Sequence, residues 1–255
     1  MRRGAAAFTA VALLLCACDT GATEPSAIST PSPAPATGSA TATPSSAPAP
    51  AGPLAGPAHG YSPSPVSSPG AGPGRVLTLP QLRGGDPAVT NRFNSAMRAS
   101  LAGMPQPSPE TSVDDGALPG GHRSGVTRIG AGAIAGRLVV LWYSKGAAHP
   151  NQNLGTVVIA TGTAQPVTVD DLYRDRAAAL DRIRKLLPES DSSKRLDPRD
   201  VDDDRILDHW LPTATGLEFY IGVPHAAGDF VSVLVPWDRI ADLLRPGVLD
   251  LLRAD

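Results

Sequence analysis

The chain has 255 residues and a formal net charge of −2 at pH 7, with 22 Lys and Arg against 24 Asp and Glu. So near a balance leaves no basic stripe for a phosphate backbone, and nucleic-acid binding is not expected. Of the 27 prolines, 14 lie in the first 85 residues, and this third of the chain reads differently from the rest.

Residues 1–17 carry Arg2 and Arg3, an apolar run from Ala5 to Leu15, and a small-residue exit. The run is too short for a permanent span, so it reads as a signal peptide. Its exit, Leu15-Cys16-Ala17-Cys18, resembles the lipobox of bacterial lipoproteins, in which cleavage precedes a cysteine that is joined to diacylglycerol. Leu15 would occupy the small-residue position before Cys16, so Cys18 is the expected anchor, on the extracytoplasmic face of the membrane. The competing reading is a secreted protein with two incidental cysteines. With Cys16 removed alongside the signal peptide, the mature chain has no second thiol, which excludes disulfides and thiolate zinc sites.

Residues 18–74 are almost entirely Pro, Ala, Ser, Thr and Gly, with Asp19 and Glu24 the only acids and no Lys or Arg. Such a stretch buries too little apolar surface to offset its ordering entropy and is expected to be a disordered tether, extended by up to about 3.1 Å per residue. One domain, 75–255, is then long enough for a single sizeable core.

In chain order, "RVLTLPQL" predicts a strand interrupted by Pro80. Asp86-Pro87 predicts a helix start, with Val89, Phe93, Met97 and Leu101 forming one apolar face. A loop is expected over 105–121. Strands follow at "VTRIGAGAIAG", "RLVVLWYS" and "GTVVIAT". Thr168 and Asp171 have capping-box spacing, opening a helix that carries Leu180, Ile183 and Leu187 to Pro188. Short strands "HWLPT", "GLEFYIG" and "FVSVLVPW" come next, and Ile240, Leu243 and Leu244 predict a closing amphipathic helix. Strands at hairpin distance with helices between groups imply an α+β domain, with a mainly antiparallel sheet and two or three packed helices.

Chemistry-bearing motifs are sparse. "GAGAIAG" at 130–136 has the glycines of a dinucleotide loop, but a β-branched run follows where a helix should open, so a hairpin turn or bulge is expected. The sequence contains no nucleophile elbow, P-loop, zinc-helix pair or EF-hand loop. Of the histidines, His59, His122, His149, His209 and His225, none lies three or four residues from another. No metal, cofactor or catalytic residue is therefore assigned. The run Asp200, Asp202, Asp203 and Asp204 lacks the glycine turn and distal glutamate of a calcium loop. It reads as a surface that attracts a basic partner, or as an ordinary solvated face.

Two longer stretches carry a resemblance. "GAAHPNQNLGTVVIATGTAQPVTVDDLY" and "HWLPTATGLEFYIGVPHAAGDFVSVLVPWDRIADLL" are similar to the RsiV-like extracellular domain family. That family pattern runs through a histidine-bearing loop, a strand, a Thr-Gly turn and a "vtl-x-Asp-Leu-Phe" helix start, and closes on a "v-x-vPy" strand end. Tyr173 and Trp237 stand where the family usually has Phe and Tyr. "LPQLRGGDPAVTNRFNSAM" resembles its opening.

The resemblance implies a non-catalytic extracellular domain, as in a lysozyme-sensing anti-sigma factor, a peptidoglycan deacetylase accessory domain and secreted antigens. The expected function is thus a lipid-anchored lipoprotein recognising an envelope component or an extracellular protein such as a lysozyme-like hydrolase. In it His149 is a hydrogen-bonding loop residue. One alternative is a cell-wall hydrolase with His149 or His225 as base, oriented by Asp170, Asp171 or Asp229. Another is a structural or antigenic envelope protein with no specific ligand.

Overall fold

A computed structural model describes residues 54–69 and 76–255, which fall in one folded unit. The signal peptide, Cys18 and the first part of the expected tether lie outside them. The fold begins before residue 75, however. Strand β1 (Tyr61–Pro63) and β2 (Val66–Pro69) pair antiparallel with β4 (Leu82–Gly84) and β3 (Val76–Leu79). Tyr61 explains the earlier start: it is 6% exposed and its hydroxyl accepts the Asp86 N–H. The prolines that suggested disorder are tolerated here in short two-stranded ribbons.

Helix α1 (Pro87–Ala102) begins as expected, with the Asp86 side chain accepting from the N–H groups of Ala88 and Val89. Val89, Phe93 and Met97 are buried. The segment expected as a loop over 105–121 contains β5 (Thr111–Asp115) and β6 (Ala117–Leu118), whose polar sequence hides strand character supplied by pairing. β6 pairs with β7 (His122–Arg123).

The central sheet is built on a hairpin of β9 (Ala133–Ser144) and β10 (Asn151–Ala160). β8 (Gly125–Ile129) and β5 pair with successive halves of the other edge of β9. The glycines of "GAGAIAG" divide between two roles. Gly130–Gly132 make the β8 to β9 turn, and Gly136 lies inside β9, where a Cβ would come within 2.6 Å of Met97 Cε and 2.7 Å of Phe93 Cζ. Close approach of α1, and no cofactor, accounts for that glycine.

α2 (Val169–Leu172) starts at the expected box, the Asp171 carboxylate accepting the Thr168 N–H at 2.8 Å. The helix then breaks where a continuous one was expected. Tyr173 is extended and bridges Leu244, and Asp175 caps a new helix, α3 (Arg176–Ser190). α3 runs past Pro188, which lies in its last turn and removes only one backbone donor there.

β11 (Trp210–Pro212), β12 (Gly216–Gly222) and β13 (Phe230–Pro236) form a three-stranded antiparallel sheet. The expected closing helix is instead two 3-10 turns, Trp237–Arg239 and Ala241–Leu243, followed by α4 (Val248–Arg253) after the Pro246-Gly247 break. Ile240 and Leu244 are buried nonetheless.

Strand alternation makes β9 the middle of the molecule. Ile134, Leu138 and Val140 share a core with α1, whereas Ala133, Ala135 and Val139 share one with Phe219, Val233, Ile183 and Leu187. The architecture is therefore α+β, with α1 on one face of the central sheet and the three-stranded sheet and α3 on the other.

The same alternation buries a charge. Arg137 shares the face of Ala135 and Val139 and is 2% exposed. Its Nε donates to Arg123 O at 3.1 Å, and its Nη1 donates to the Tyr220 hydroxyl and, at 3.0 Å, to His122 Nδ1. A guanidinium can only donate, so Nδ1 carries the lone pair, the His122 ring is neutral, and its Nε2–H faces Ser232 Oγ at 3.0 Å.

Burial lowers the His122 pKa, Glu218 opposes that shift and Arg137 adds to it. Burial also lowers that of His209, against Asp208. Each group binds fewer protons folded than unfolded, so stability is complete above the unfolded value of about 6.5 and is lost as pH falls below it. The thermal midpoint is expected to drop between about pH 7.5 and about pH 5. His122→Gln keeps an acceptor for Arg137 but cannot titrate, so it should flatten part of that slope. An unchanged slope would remove His122 as its source.

Candidate functional site

The acidic segment after α3 is fixed from within. The buried Asp191 carboxylate accepts from the N–H groups of Ser193, Arg195 and Leu196 and from the Ser193 hydroxyl. Burial pushes the pKa of this carboxyl up, but those four donors outweigh it and hold it lowered. Two 3-10 turns follow, Pro198–Val201 and Asp204–Leu207, pinned to the core by Val201, Ile206 and Leu207.

The four aspartates expected to meet a partner are largely engaged in these turns. Asp200 accepts the Asp197 N–H at 2.8 Å. Asp203 caps the second turn through the Arg205 N–H at 2.9 Å. Hydrogen bonds from the Arg205 side chain and backbone lower its carboxyl to about 2. Asp204 pairs with Arg184 at 2.5 Å. Asp202 is exposed, and its backbone carbonyl accepts from Arg184 at 3.0 Å.

Asp200 and Asp203, joined by Asp208, rim a cleft of about 430 Å³ whose walls include Ile206, Pro224 and Phe230. Asp202 and Asp204 are not part of its lining. A groove along β10 reaches the same Asp208, His209 and Phe230. Arg205 also lines the cleft and is paired with Asp203, which leaves Asp200 and Asp208 to pair the head of a lysine or arginine side chain whose stem packs on the apolar wall.

Beside the cleft, two loops meet. His149, in the β9 to β10 connection, stacks on His225, in the β12 to β13 connection, with ring centroids 3.8 Å apart and planes 6° from parallel. His225 Nδ1 lies 3.0 Å from Asp229 Oδ1, and the other Asp229 oxygen accepts the Gln152 N–H at 2.8 Å. Gly228 permits this loop: its φ is +108°, and a Cβ there would meet Pro119 Cγ at 2.4 Å.

His149 is a hydrogen-bonding loop residue as expected, its Nδ1 3.0 Å from the Pro150 carbonyl oxygen, and it also has a histidine partner 76 positions away. Of the three carboxylates considered beside the histidines, only Asp229 reaches one. Asp170 pairs with Arg176 at 3.0 Å and Asp171 serves the α2 start. The His-x-x-x-Asp spacing of 225–229 was visible in the sequence, but its loop setting and the stacking partner were not. Among the described residues, no three His, Cys, Asp or Glu side chains converge as a metal-binding group.

No protein-family model matches the chain, and no curated protein sequence matches it. Solved structures do. A crystal structure of a DUF3298 family member from Bacteroides fragilis NCTC 9343 is similar at TM-score 0.53 and 14% identity, covering 76% of this chain and 96% of its own. A DUF3298 family protein from Pseudomonas aeruginosa PAO1 has a TM-score of 0.49 at 12% identity, over 77% and 96% of the two chains. At 14% identity the first likeness bears on the fold alone, and it places the α+β arrangement described above beside a DUF3298 fold.

Proposed function

We propose that the protein is a lipid-anchored extracytoplasmic binding module, joined to the membrane through Cys18 and non-catalytic, whose folded part takes a basic segment of an extracellular or envelope protein. One observation carries this reading: the cleft in which Asp200, Asp203 and Asp208 rim apolar walls at Pro224 and Phe230. The RsiV-like resemblance of the motifs supports a recognition role and suggests a lysozyme-like hydrolase as the first probe. No helix among the described residues is long and apolar enough to cross a membrane.

The hydrolase alternative draws on the hydrogen bond between His225 and Asp229. Neither His225 nor His149 hydrogen-bonds a serine or threonine hydroxyl among the described residues, so a base there would have to activate water directly.

Exposed acids act mainly through association rate and are screened beyond about 8 Å at physiological salt. Changing the three rim acids Asp200, Asp203 and Asp208 together to Asn keeps the capping oxygens of Asp200 and Asp203 and gives up the exposed Asp203–Arg205 pair, so the melting temperature should fall only slightly. Association with lysozyme should slow several-fold at low ionic strength and lose most of its salt dependence. Stopped-flow association at two salt concentrations checks this. Absence of wild-type binding removes the lysozyme-like partner, and binding indifferent to both salt and substitution moves the contact off the acidic turns.

A further inference from the structure

We propose that the outer edge of β10 receives an extended segment of the partner as an added β-strand, a lysine or arginine of that segment reaching the acidic cleft. This deepens the binding reading above and rests on it. β10 is an end strand of the central sheet, so one row of its N–H and C=O groups faces away from β9. Two hydrogen bonds identify that row, because outward and inward groups alternate along an antiparallel strand. The Gln152 N–H donates to Asp229 at 2.8 Å, and the Val158 carbonyl accepts the Val167 N–H at 2.9 Å. Leu154 and Thr156 lie between them in the same phase, and their outward N–H and C=O groups have no protein partner among the described residues.

An open strand edge templates pairing with another chain, and it is normally blunted by lysine, proline or a bulge. The stretch Asn153-Leu154-Gly155-Thr156-Val157-Val158 carries neither charge nor proline, and its register with β9 is unbroken. The edge is also recessed. A groove of about 450 Å³ runs along Asn153 to Thr156 and is lined as well by Ser100 and Met104, at the C-terminal end of α1, and by Asp208 and Phe230. Such a groove admits a single extended chain, whereas the sheet edge of a second folded copy would have to displace its walls.

The chemistry of the occupant follows from where the groove leads. Asp208 and Phe230 line both the groove and the cleft that holds Asp200, so a chain lying along β10 brings its side chains to the acidic rim. Main-chain hydrogen bonds to Leu154 and Thr156 supply affinity without reading sequence, and the cleft selects a basic side chain at one position. Only every second residue of the segment turns its N–H and C=O toward β10.

The test selects binders to the full chain, in detergent, from a phage-displayed library of random peptides, and titrates the strongest as a synthetic peptide. Enriched sequences should set a lysine or arginine beside alternating β-branched residues. N-methylating the peptide at alternate residues in one phase should weaken binding by about tenfold or more, and in the other phase leave it unchanged. Thr156→Pro removes one outward donor at an edge position that tolerates proline, after a glycine with no Cβ for the ring to strike. It should weaken binding by a similar factor, and the N-methyl series carries the test without any change to the protein. Bound peptide should also slow hydrogen exchange at the Leu154 and Thr156 amides while sparing Gly155 and Val157, which already face β9. Binding that is lost in Asp200→Asn and Asp208→Asn but indifferent to N-methylation and to Thr156→Pro overturns the added strand and leaves the cleft reading standing. A library that enriches no basic sequence overturns both. Slowed exchange of Leu154 and Thr156 on self-association, without peptide, gives the edge to a second copy of the chain and overturns the proposal.

Discussion

Glu218→Leu is expected to destabilise the fold by about 3 kcal/mol, because it leaves the buried Arg137 guanidinium without a carboxylate. Arg137 cannot shed its proton to escape the low dielectric, and the Glu218 carboxylate 3.9 Å away is its nearest countercharge. The link also runs through Tyr220, whose hydroxyl accepts from Arg137 and donates to Glu218 at 2.5 Å. A loss of that size corresponds to about 6–12 °C in the melting temperature of a domain this long. The reverse single change, Arg137→Met, should cost less, since the Glu218 side chain is 19% exposed and can reach water. The double variant Arg137→Met, Glu218→Leu should recover much of the loss, because apolar groups in place of a buried pair are often neutral. Urea unfolding of all four proteins measures the coupling. Additive losses, with no recovery in the double variant, would show that Glu218 does not neutralise Arg137.

Cys18→Ser is expected to move nearly all of the protein from the membrane fraction to the soluble one. In the proposed anchoring a single thiol carries the acyl chains, and each buried methylene contributes about 0.8 kcal/mol of membrane affinity. A hydroxyl cannot accept the diacylglycerol thioether. The segment that follows is Pro, Ala, Ser and Thr without a basic cluster or an amphipathic stripe, so nothing in it replaces the lost chains. Fractionation of cells expressing either form, with detergent phase partitioning of each, checks the expectation. A serine variant that still sediments with membranes overturns the lipobox reading of Leu15 to Cys18.

Local signals in the sequence carried a good part of the architecture. Asp86-Pro87 and the four-residue spacing of Val89, Phe93 and Met97 specify α1, since a cap and an apolar stripe are properties of neighbours in the chain. The alternating or continuous apolar runs of β9, β10, β12 and β13 and the turn glycines between them likewise announce antiparallel strands, and hence the α+β class. Features that depend on partners distant in the chain were not legible. The polar stretch of β5 becomes a strand only because the edge of β9 offers its hydrogen bonds, and Tyr61 marks the start of the fold only because Asp86 and β4 are there to receive it. Helix α3 needed a break at Tyr173, which the pairing with Leu244 imposes and no propensity announces. The same holds for the candidate sites. Acidic character around Asp200 to Asp204 is plain in the sequence, but which carboxylates rim a cleft follows from two 3-10 turns docked on the core. His149 and His225 have no sequence relation at all: burial of the two faces of β9 brings their loops together, and only that packing sets one ring on the other with Asp229 behind it.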